Sequence, residues 1–221
     1  MEFFVEFEVT VPAGTAASEV DSREEDEATA AAQLARQGNL LRIWKLPARS
    51  GDAPTLGLYR ADSRSELDAL LRALPLYEWM RVVVTPLDRH PNDPASAPHV
   101  SARPASRISA AEYLVSMSTH PPEGTSEQDV EEMRRREAAR SHELASQGHL
   151  LRLWRPPLKP GEWRTIGLFA AENPCELEDV LLSMPLRAWR TDEVTPLSPH
   201  PNDPSASLRA AAPKTPSSPS S

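Results

Sequence analysis

The sequence has a single cysteine, Cys175, among 221 residues, so no disulfide can form within the chain. One cysteine is typical of a protein from a reducing compartment, and we therefore expect a cytoplasmic location. No apolar run approaches the roughly 20 residues that a membrane-spanning helix needs. The first nine residues mix charged and apolar side chains and lack the basic region of a signal peptide. We predict a strand there, and no association with a membrane.

Basic residues are also scarce. The chain has 24 Lys and Arg against 32 Asp and Glu, a formal net charge of -8. Phosphate backbones are bound by concentrated Lys and Arg, so this balance argues against a nucleic-acid partner. The eight glycines form neither a phosphate-binding loop nor a nucleophile elbow. We therefore expect no nucleotide cofactor.

The chain does contain an internal repeat. Gly38 has its counterpart at Gly148, 110 positions later, and the same offset relates the two identical HPNDP runs at 90–94 and 200–204. One register kept through loops as well as regular elements indicates a tandem duplication. We predict a first copy at 1–94, a linker at 95–110, a second copy at 111–204 and a tail at 205–221. The linker and the tail are rich in Pro, Ser and Ala, which predicts flexible segments.

Each copy has the pattern strand, helix, strand, strand, helix, strand. In the first copy we predict strands at 3–10, 40–46, 55–61 and 79–85, a long helix at 18–37, and a short helix between Ser65 and Pro75. This βαββαβ order is typical of a ferredoxin-like α+β fold, with two helices on one face of an antiparallel sheet. The other face needs a cover, and the second copy can supply it within the chain.

Several short motifs occur in order through the first copy: DE at 26–27, RQG at 36–38, LRIWK at 41–45, LPLY at 74–77 and RHP at 89–91. The second copy keeps a glutamate at 137, QG at 147–148, LRLW at 151–154, MPL at 184–186 and HP at 200–201. This combination resembles the muconolactone Δ-isomerase family. The match covers nearly all of the first copy, although family members usually have a single copy.

The resemblance implies ferredoxin-like subunits that pair sheet to sheet and assemble further. For this chain it implies an intramolecular dimeric α+β barrel, which could itself form a homo-oligomer. It also implies isomerisation of a carboxylated unsaturated lactone in aromatic catabolism, without a cofactor. A small-molecule lactone is therefore the expected partner.

Glu27 is the most informative single residue. It shares a helix face with Val20, Ala31 and Leu34, and Glu137 has the same position in the second copy. The three acidic residues before Glu27 become arginines in the second copy, whereas the glutamate itself is kept. A carboxylate on an inward face has a raised pKa, which suits a general base. The alternative is a solvated glutamate at the edge of the apolar stripe. Position alone favours that alternative, whereas the resemblance favours catalytic roles for both glutamates.

The second strand of each copy carries an arginine two residues before a tryptophan: Arg42 with Trp44, and Arg152 with Trp154. Residues two apart share a sheet face, so Leu41 and Ile43 are expected on the opposite face. A guanidinium beside an indole could bind a planar carboxylated substrate through bidentate hydrogen bonds. The alternative is an arginine that pairs with a glutamate across an interface, its stem packed on the indole. The sequence does not distinguish substrate binding from this structural role.

His90 and His200 each begin an HPNDP run. Such a run could form a pocket lid or a metal site, but Asn, Asp and Pro together are typical of a turn, which we favour. No second histidine stands at ligand spacing inside either copy, so we predict no metal.

Our first functional hypothesis is an isomerase in which Glu27 moves a proton and Arg42 holds the acetate group of the lactone. Because Arg187 and Arg190 stand where the first copy has Tyr77 and Met80, the Glu27 site is expected to carry most of the rate. A second hypothesis is a non-catalytic pair of domains that binds a small acid or a partner protein. A third is the cofactor-free monooxygenase or dehalogenase chemistry found on similar folds.

Overall fold

A computed structural model describes residues 1–48, 53–96 and 110–206. The predicted linker lies largely, and the predicted tail almost entirely, outside these ranges. No helix in the described part of the chain is both long and apolar enough to cross a membrane.

Each copy contains four strands and two helices in the predicted order. The first copy consists of β1 (Glu2–Val9), α1 (Ala17–Gln37), β2 (Leu40–Lys45), β3 (Thr55–Arg60), α2 (Arg64–Arg72) and β4 (Met80–Arg89). The second consists of β5 (Ala111–Thr119), α3 (Glu127–Ser146), β6 (Leu150–Arg155), β7 (Arg164–Ala171), α4 (Pro174–Leu182) and β8 (Arg190–Pro199). Short 3₁₀ turns at Tyr77–Trp79 and Pro185–Trp189 precede β4 and β8. The α+β assignment is therefore correct.

Local sequence signals fix the helix ends. Helix α1 ends at Gly38, whose φ of 79° lies in the left-handed region that glycine adopts most easily. Helix α2 begins after Ser63, whose hydroxyl accepts a hydrogen bond from the backbone N–H of Glu66 at 3.1 Å.

All strand pairs are antiparallel, and the eight strands form one closed ring in the order β1-β3-β2-β8-β5-β7-β6-β4. The copies meet at two seams. Strand β2 pairs with β8 at Trp44 and Pro199, and β4 pairs with β6 at Arg89 and Trp154. Strand β4 therefore extends four residues beyond the predicted end at Thr85, because its last residues pair with the other copy.

Three apolar clusters hold the molecule together. Two of them lie between a sheet and its own helices; in the first copy Leu34 of α1 and Leu67 of α2 pack on Phe3 and Tyr59. The third lies inside the ring and combines side chains from both copies: Phe4, Trp44, Leu56, Leu58, Leu87, Trp154, Leu168 and Leu197. The two copies thus share one core, since each covers the sheet face that the other leaves open.

Candidate functional site

A cavity of about 340 Å³ lies between α1 and the outer face of the first sheet. Its walls come from α1, the first three strands, the segment before β4 and a turn of the second copy. The lining residues are Phe7, Val9, Glu24, Glu27, Ala28, Ala31, Ile43, Lys45, Thr55, Tyr59, Leu76, Met80, His200, Pro201 and Asn202. We call this space the first cavity.

Glu27 projects from α1 into the wall of the first cavity, as the helix pattern predicts. Its Oε2 accepts a hydrogen bond of 3.1 Å from the backbone N–H of Leu76. Its Oε1 has no hydrogen-bond partner among the described residues. Burial raises the pKa of this carboxyl above its ordinary value, and the Leu76 N–H opposes that effect. Glu27 therefore presents one unoccupied oxygen of elevated basicity to the cavity.

Tyr59 lies beside Glu27 in the same wall and is 3% exposed. Burial, together with the negative charge of Glu27, raises the pKa of the Tyr59 phenol. The hydroxyl therefore stays protonated at neutral pH and can act as a hydrogen-bond donor. Gly57 makes room for the ring, because a Cβ at this position would collide with the ring atoms of Tyr59. The second copy has Phe169 here and so lacks the hydroxyl.

Lys45 places a cation at the first cavity, although it was not among the site residues expected from the sequence. It ends β2 and makes no ion pair with any residue that the structure describes. Two features of the sequence indicate a basic residue in this wall. Lys45 is two positions after Ile43, so both side chains lie on the same face of β2, and the second copy has a basic residue, Arg155, at the matching position.

The second copy closes the first cavity through the turn at 200–202. The predicted turn is present, since the Asp203 N–H donates to the His200 carbonyl at 3.0 Å. This turn, which belongs to the second copy, also lines the first cavity. The Asn202 N–H donates to His200 Nδ1 at 3.1 Å, so in the neutral ring the proton is on Nε2. Burial and the charge of Lys45 lower the pKa of His200 against the influence of Asp203. His200 is therefore a neutral Nε2–H donor at pH 7.

Arg42 and Trp44 lie on the opposite face of β2 and do not line the first cavity. The Arg42 guanidinium pairs with Glu112 of the second copy at 2.7 Å and with Asp203 at 3.0 Å, and it stacks over the Trp44 ring at 4.7 Å. The Trp44 indole N–H donates to Glu112 at 2.6 Å. These contacts favour the alternative interpretation, an arginine paired across an interface, over substrate binding.

Arg152 and Trp154 repeat this arrangement with first-copy partners. Arg152 pairs with Glu2 at 2.7 Å and with Asp93 at 3.1 Å, and the Trp154 indole N–H donates to Glu2 at 2.7 Å. All four residues lie on the sheet face away from the helices, as expected, but neither pair lines the cavity of its own copy. Alternation along a strand shows which residues share a face but not which face borders the cavity. A register shift between Leu40 and Arg42 also turns Leu41 toward the interior of the ring, contrary to expectation.

A second cavity, of about 640 Å³, occupies the equivalent position in the second copy and is closed by the first-copy turn at 90–92. Glu137 lies in its wall, but both carboxylate oxygens are engaged. Oε2 accepts from the Leu186 N–H at 2.9 Å, and Oε1 accepts from Arg190 at 3.0 Å. Arg190 in turn pairs with Asp192 at 2.7 Å. Burial raises the pKa of Glu137, an effect that Leu186 and Arg190 oppose.

The two predicted catalytic glutamates therefore lie in separate cavities with different electrostatic surroundings. Met80 stands in the first cavity where Arg190 binds Glu137 in the second. Within the described ranges, no group of three or more His, Cys, Asp or Glu side chains is arranged to hold a metal ion.

Sequence comparison supplies a family for both copies. A family model described as muconolactone delta-isomerase matches residues 1–93 and again residues 111–203. The muconolactone delta-isomerase of Acinetobacter baylyi is 29% identical over 92 residues, which span 42% of this chain and 93% of that protein. Muconolactone delta-isomerase 1 of Acinetobacter lwoffii is 30% identical over the same length and proportions.

A solved structure also resembles the chain along nearly its whole length. A heme-binding protein from Thermus thermophilus aligns with a TM-score of 0.55 over 95% of each chain, at 12% identity. At this identity the likeness concerns the fold alone: an α+β chain of the same overall topology.

Proposed function

We propose that this chain, which belongs to the muconolactone delta-isomerase family, is an isomerase that moves a double bond within a carboxylated unsaturated lactone. The reaction would be of the type that converts muconolactone to 3-oxoadipate enol-lactone, in the cytoplasmic catabolism of aromatic compounds, and would need no cofactor. The observation that carries this proposal is the Glu27 carboxylate, which is half-buried in a small cavity, has a raised pKa, and has one oxygen without a hydrogen-bond partner among the described residues.

Glu27 would act as the general base. Its unpartnered oxygen takes the proton from the ring carbon that bears the acetate group, and the electrons delocalise into a dienolate. The same carboxyl then returns the proton to the carbon next to the lactone carbonyl, which moves the double bond. Only proton transfer and stabilisation of the enolate oxygen are required.

Tyr59 and His200 would stabilise the enolate oxygen. Each is a neutral donor at pH 7, because burial raises the pKa of the phenol and lowers the pKa of the imidazole. Both line the same cavity as Glu27. Donors that are fixed before the reaction stabilise developing negative charge without reorganisation. His200 belongs to the second copy, so this site would be assembled from both halves of the chain.

Lys45 would bind the acetate group of the lactone, the role first expected of Arg42. It is the basic residue in the wall of the first cavity and has no carboxylate partner among the described residues. Arg42 has two such partners. An ammonium group beside a carboxylate provides attraction and orientation for the substrate.

The duplicated architecture would be the intramolecular equivalent of a dimeric α+β barrel, with domains at 1–94 and 111–204. The closed order of eight strands and the shared interior core support this assignment. Further assembly into a homo-oligomer stays a prediction.

Incubation with muconolactone in D₂O tests the proposal directly. We expect the enol-lactone to form, as measured by proton NMR, with deuterium at the carbon next to the carbonyl only in turnovers in which the Glu27 carboxyl exchanges its proton with solvent. Because Glu27 must be ionised and burial raises its pKa, kcat/KM should fall as the pH is lowered, with a midpoint above the ordinary glutamate value of 4.5. Absence of turnover at every pH from acidic to neutral would contradict the proposal and leave a non-catalytic small-acid-binding protein as the better hypothesis.

Replacing Lys45 with glutamine should raise KM for the lactone about tenfold or more, because a hydrogen bond to a charged group contributes about 1.5–3 kcal/mol. Lys45→Arg is the matched control: it keeps the charge, as Arg155 does in the second copy, and should leave KM within a few fold of the parent. Steady-state kinetics measure both. Equal KM values for the parent and Lys45→Gln would exclude this residue from carboxylate binding.

A further inference from the structure

The second cavity has walls of different charge from the first. Five arginines line it, against three glutamates, whereas the first cavity has two glutamates and one lysine. Four of these arginines replace residues that are not basic in the first copy: Arg134 and Arg135 stand for Glu24 and Glu25, Arg164 for Pro54 and Arg190 for Met80. Duplication has thus produced one acidic and one basic cavity on the same scaffold.

Two of the five arginines have no carboxylate partner among the residues that the structure describes. Arg134 and Arg135 pair with glutamates of their own helix, and Arg190 pairs with Glu137 and Asp192. Arg155 and Arg164 make no such pair within those ranges. The Arg164 Nη2 donates to the Pro157 carbonyl at 3.4 Å, but its Nε is buried and has no hydrogen-bond partner in the part of the chain that the structure describes. A buried donor without a partner is destabilising, and an anion in the cavity would satisfy it.

The remaining walls of the second cavity suit the apolar part of an organic anion. Apolar side chains supply much of the lining: Met117, Leu153, Leu158, Trp163 and Met184. The volume of about 640 Å³ falls in the range typical of small-molecule sites. The Trp163 ring is already covered by the Arg134 guanidinium at 4.6 Å, so the surface left to a ligand is mainly aliphatic.

His90 adds a neutral donor, because burial and the charge of Arg155 lower its pKa to about 4, and its Nδ1 accepts from the Asn92 N–H. Glu137 cannot serve as a base while Leu186 and Arg190 occupy both its oxygens.

We propose that the second cavity binds a small aliphatic dicarboxylate through Arg155 and Arg164 and does not turn it over. This inference is independent of the isomerase reaction in the first cavity.

Titration calorimetry of the full chain with adipate, a six-carbon dicarboxylate, tests the proposal. We expect one equivalent to bind per chain. Hexanoate, which has one carboxylate, and inorganic phosphate should bind at least about tenfold more weakly, because each lacks one charged contact or the apolar body. Arg155→Gln and Arg164→Gln should each weaken adipate binding by about tenfold or more, whereas Lys45→Gln should leave it unchanged.

Other outcomes would overturn the proposal. Adipate binding that is lost in Lys45→Gln and kept in the two arginine variants would place the ligand in the first cavity. Phosphate binding as tight as adipate would indicate a site for inorganic anions. Absence of binding heat, together with a melting temperature that adipate does not raise, would show that no site exists. Because binding rather than turnover is measured, these results are separable from failure of the isomerase assay.

Discussion

The Glu27→Gln variant is expected to isomerise muconolactone at least about a hundredfold more slowly than the parent, since glutamine keeps the size and hydrogen bonding of the side chain but cannot accept the proton. The Leu76 N–H can still donate to the amide oxygen, so the cavity should keep its shape. Steady-state rates at a fixed pH measure the effect. The melting temperature should not fall, because the replacement removes a carboxylate whose pKa is raised by burial.

Glu137→Gln is the matched control for this experiment. The sequence alone suggested two bases, so that only the double replacement would abolish activity. The structure changes that expectation, because Arg190 and Leu186 occupy both oxygens of Glu137. Glu137→Gln should therefore keep nearly the parent rate. If instead the Glu27→Gln and Glu137→Gln variants lose similar fractions of the rate, both cavities are active; if the double variant is as fast as the parent, neither glutamate is the base.

The second large effect concerns the ion pairs between the copies. Arg42→Ala should lower the free energy of unfolding by about 3–5 kcal/mol, because it removes the guanidinium that pairs with two buried carboxylates. The Glu112 and Asp203 side chains are each 1% exposed, whereas Arg42 is 19% exposed. Chemical denaturation followed by circular dichroism measures this loss. The substrate-binding interpretation of Arg42 predicts the reverse: a higher KM with little change in stability.

Arg152→Ala separates stability from function. It removes the guanidinium that pairs with buried Asp93, but Glu2 is 16% exposed and keeps an ion pair with Arg60 at 3.1 Å, so its stability loss should be smaller than that of Arg42→Ala. The turn that Asp93 anchors closes the second cavity, however, whereas the turn that Asp203 anchors closes the first. Under conditions in which both variants are folded, Arg42→Ala should therefore reduce kcat and Arg152→Ala should not. Equal kcat values would show that the turn at 200–202 is not needed for turnover.

Much of the fold follows from local signals. Gly38 terminates the long helix, and the repeat itself reveals two equal units. The prediction that Glu27 lies on the inward face of α1 is correct, because helical periodicity puts it on the same face as Ala31 and Leu34, which are both buried. These features depend on residues close together in the chain, where periodicity and capping act.

Features that depend on contacts between the copies could not be predicted in this way. The last residues of β4 pair with β6, and the register of a single strand carries no information about such a partner. The same holds for Arg42, whose partners lie 70 and 161 positions away. Lys45 and His200 meet at one cavity only because the second copy packs across the end of β2.

Each copy supplies the turn that closes the other copy's cavity, and this arrangement has an evolutionary consequence. In a symmetric dimer of identical subunits every mutation appears twice, so one pocket cannot change without the other. Fusion of two genes removes that restriction, and here helix residues around the second pocket have diverged: Glu24 corresponds to Arg134. The HPNDP run is nevertheless identical in both copies, because each copy supplies it to its neighbour's pocket. Selection for activity in the first pocket would therefore preserve a segment of the second copy even if that copy's own pocket had lost its ancestral reaction.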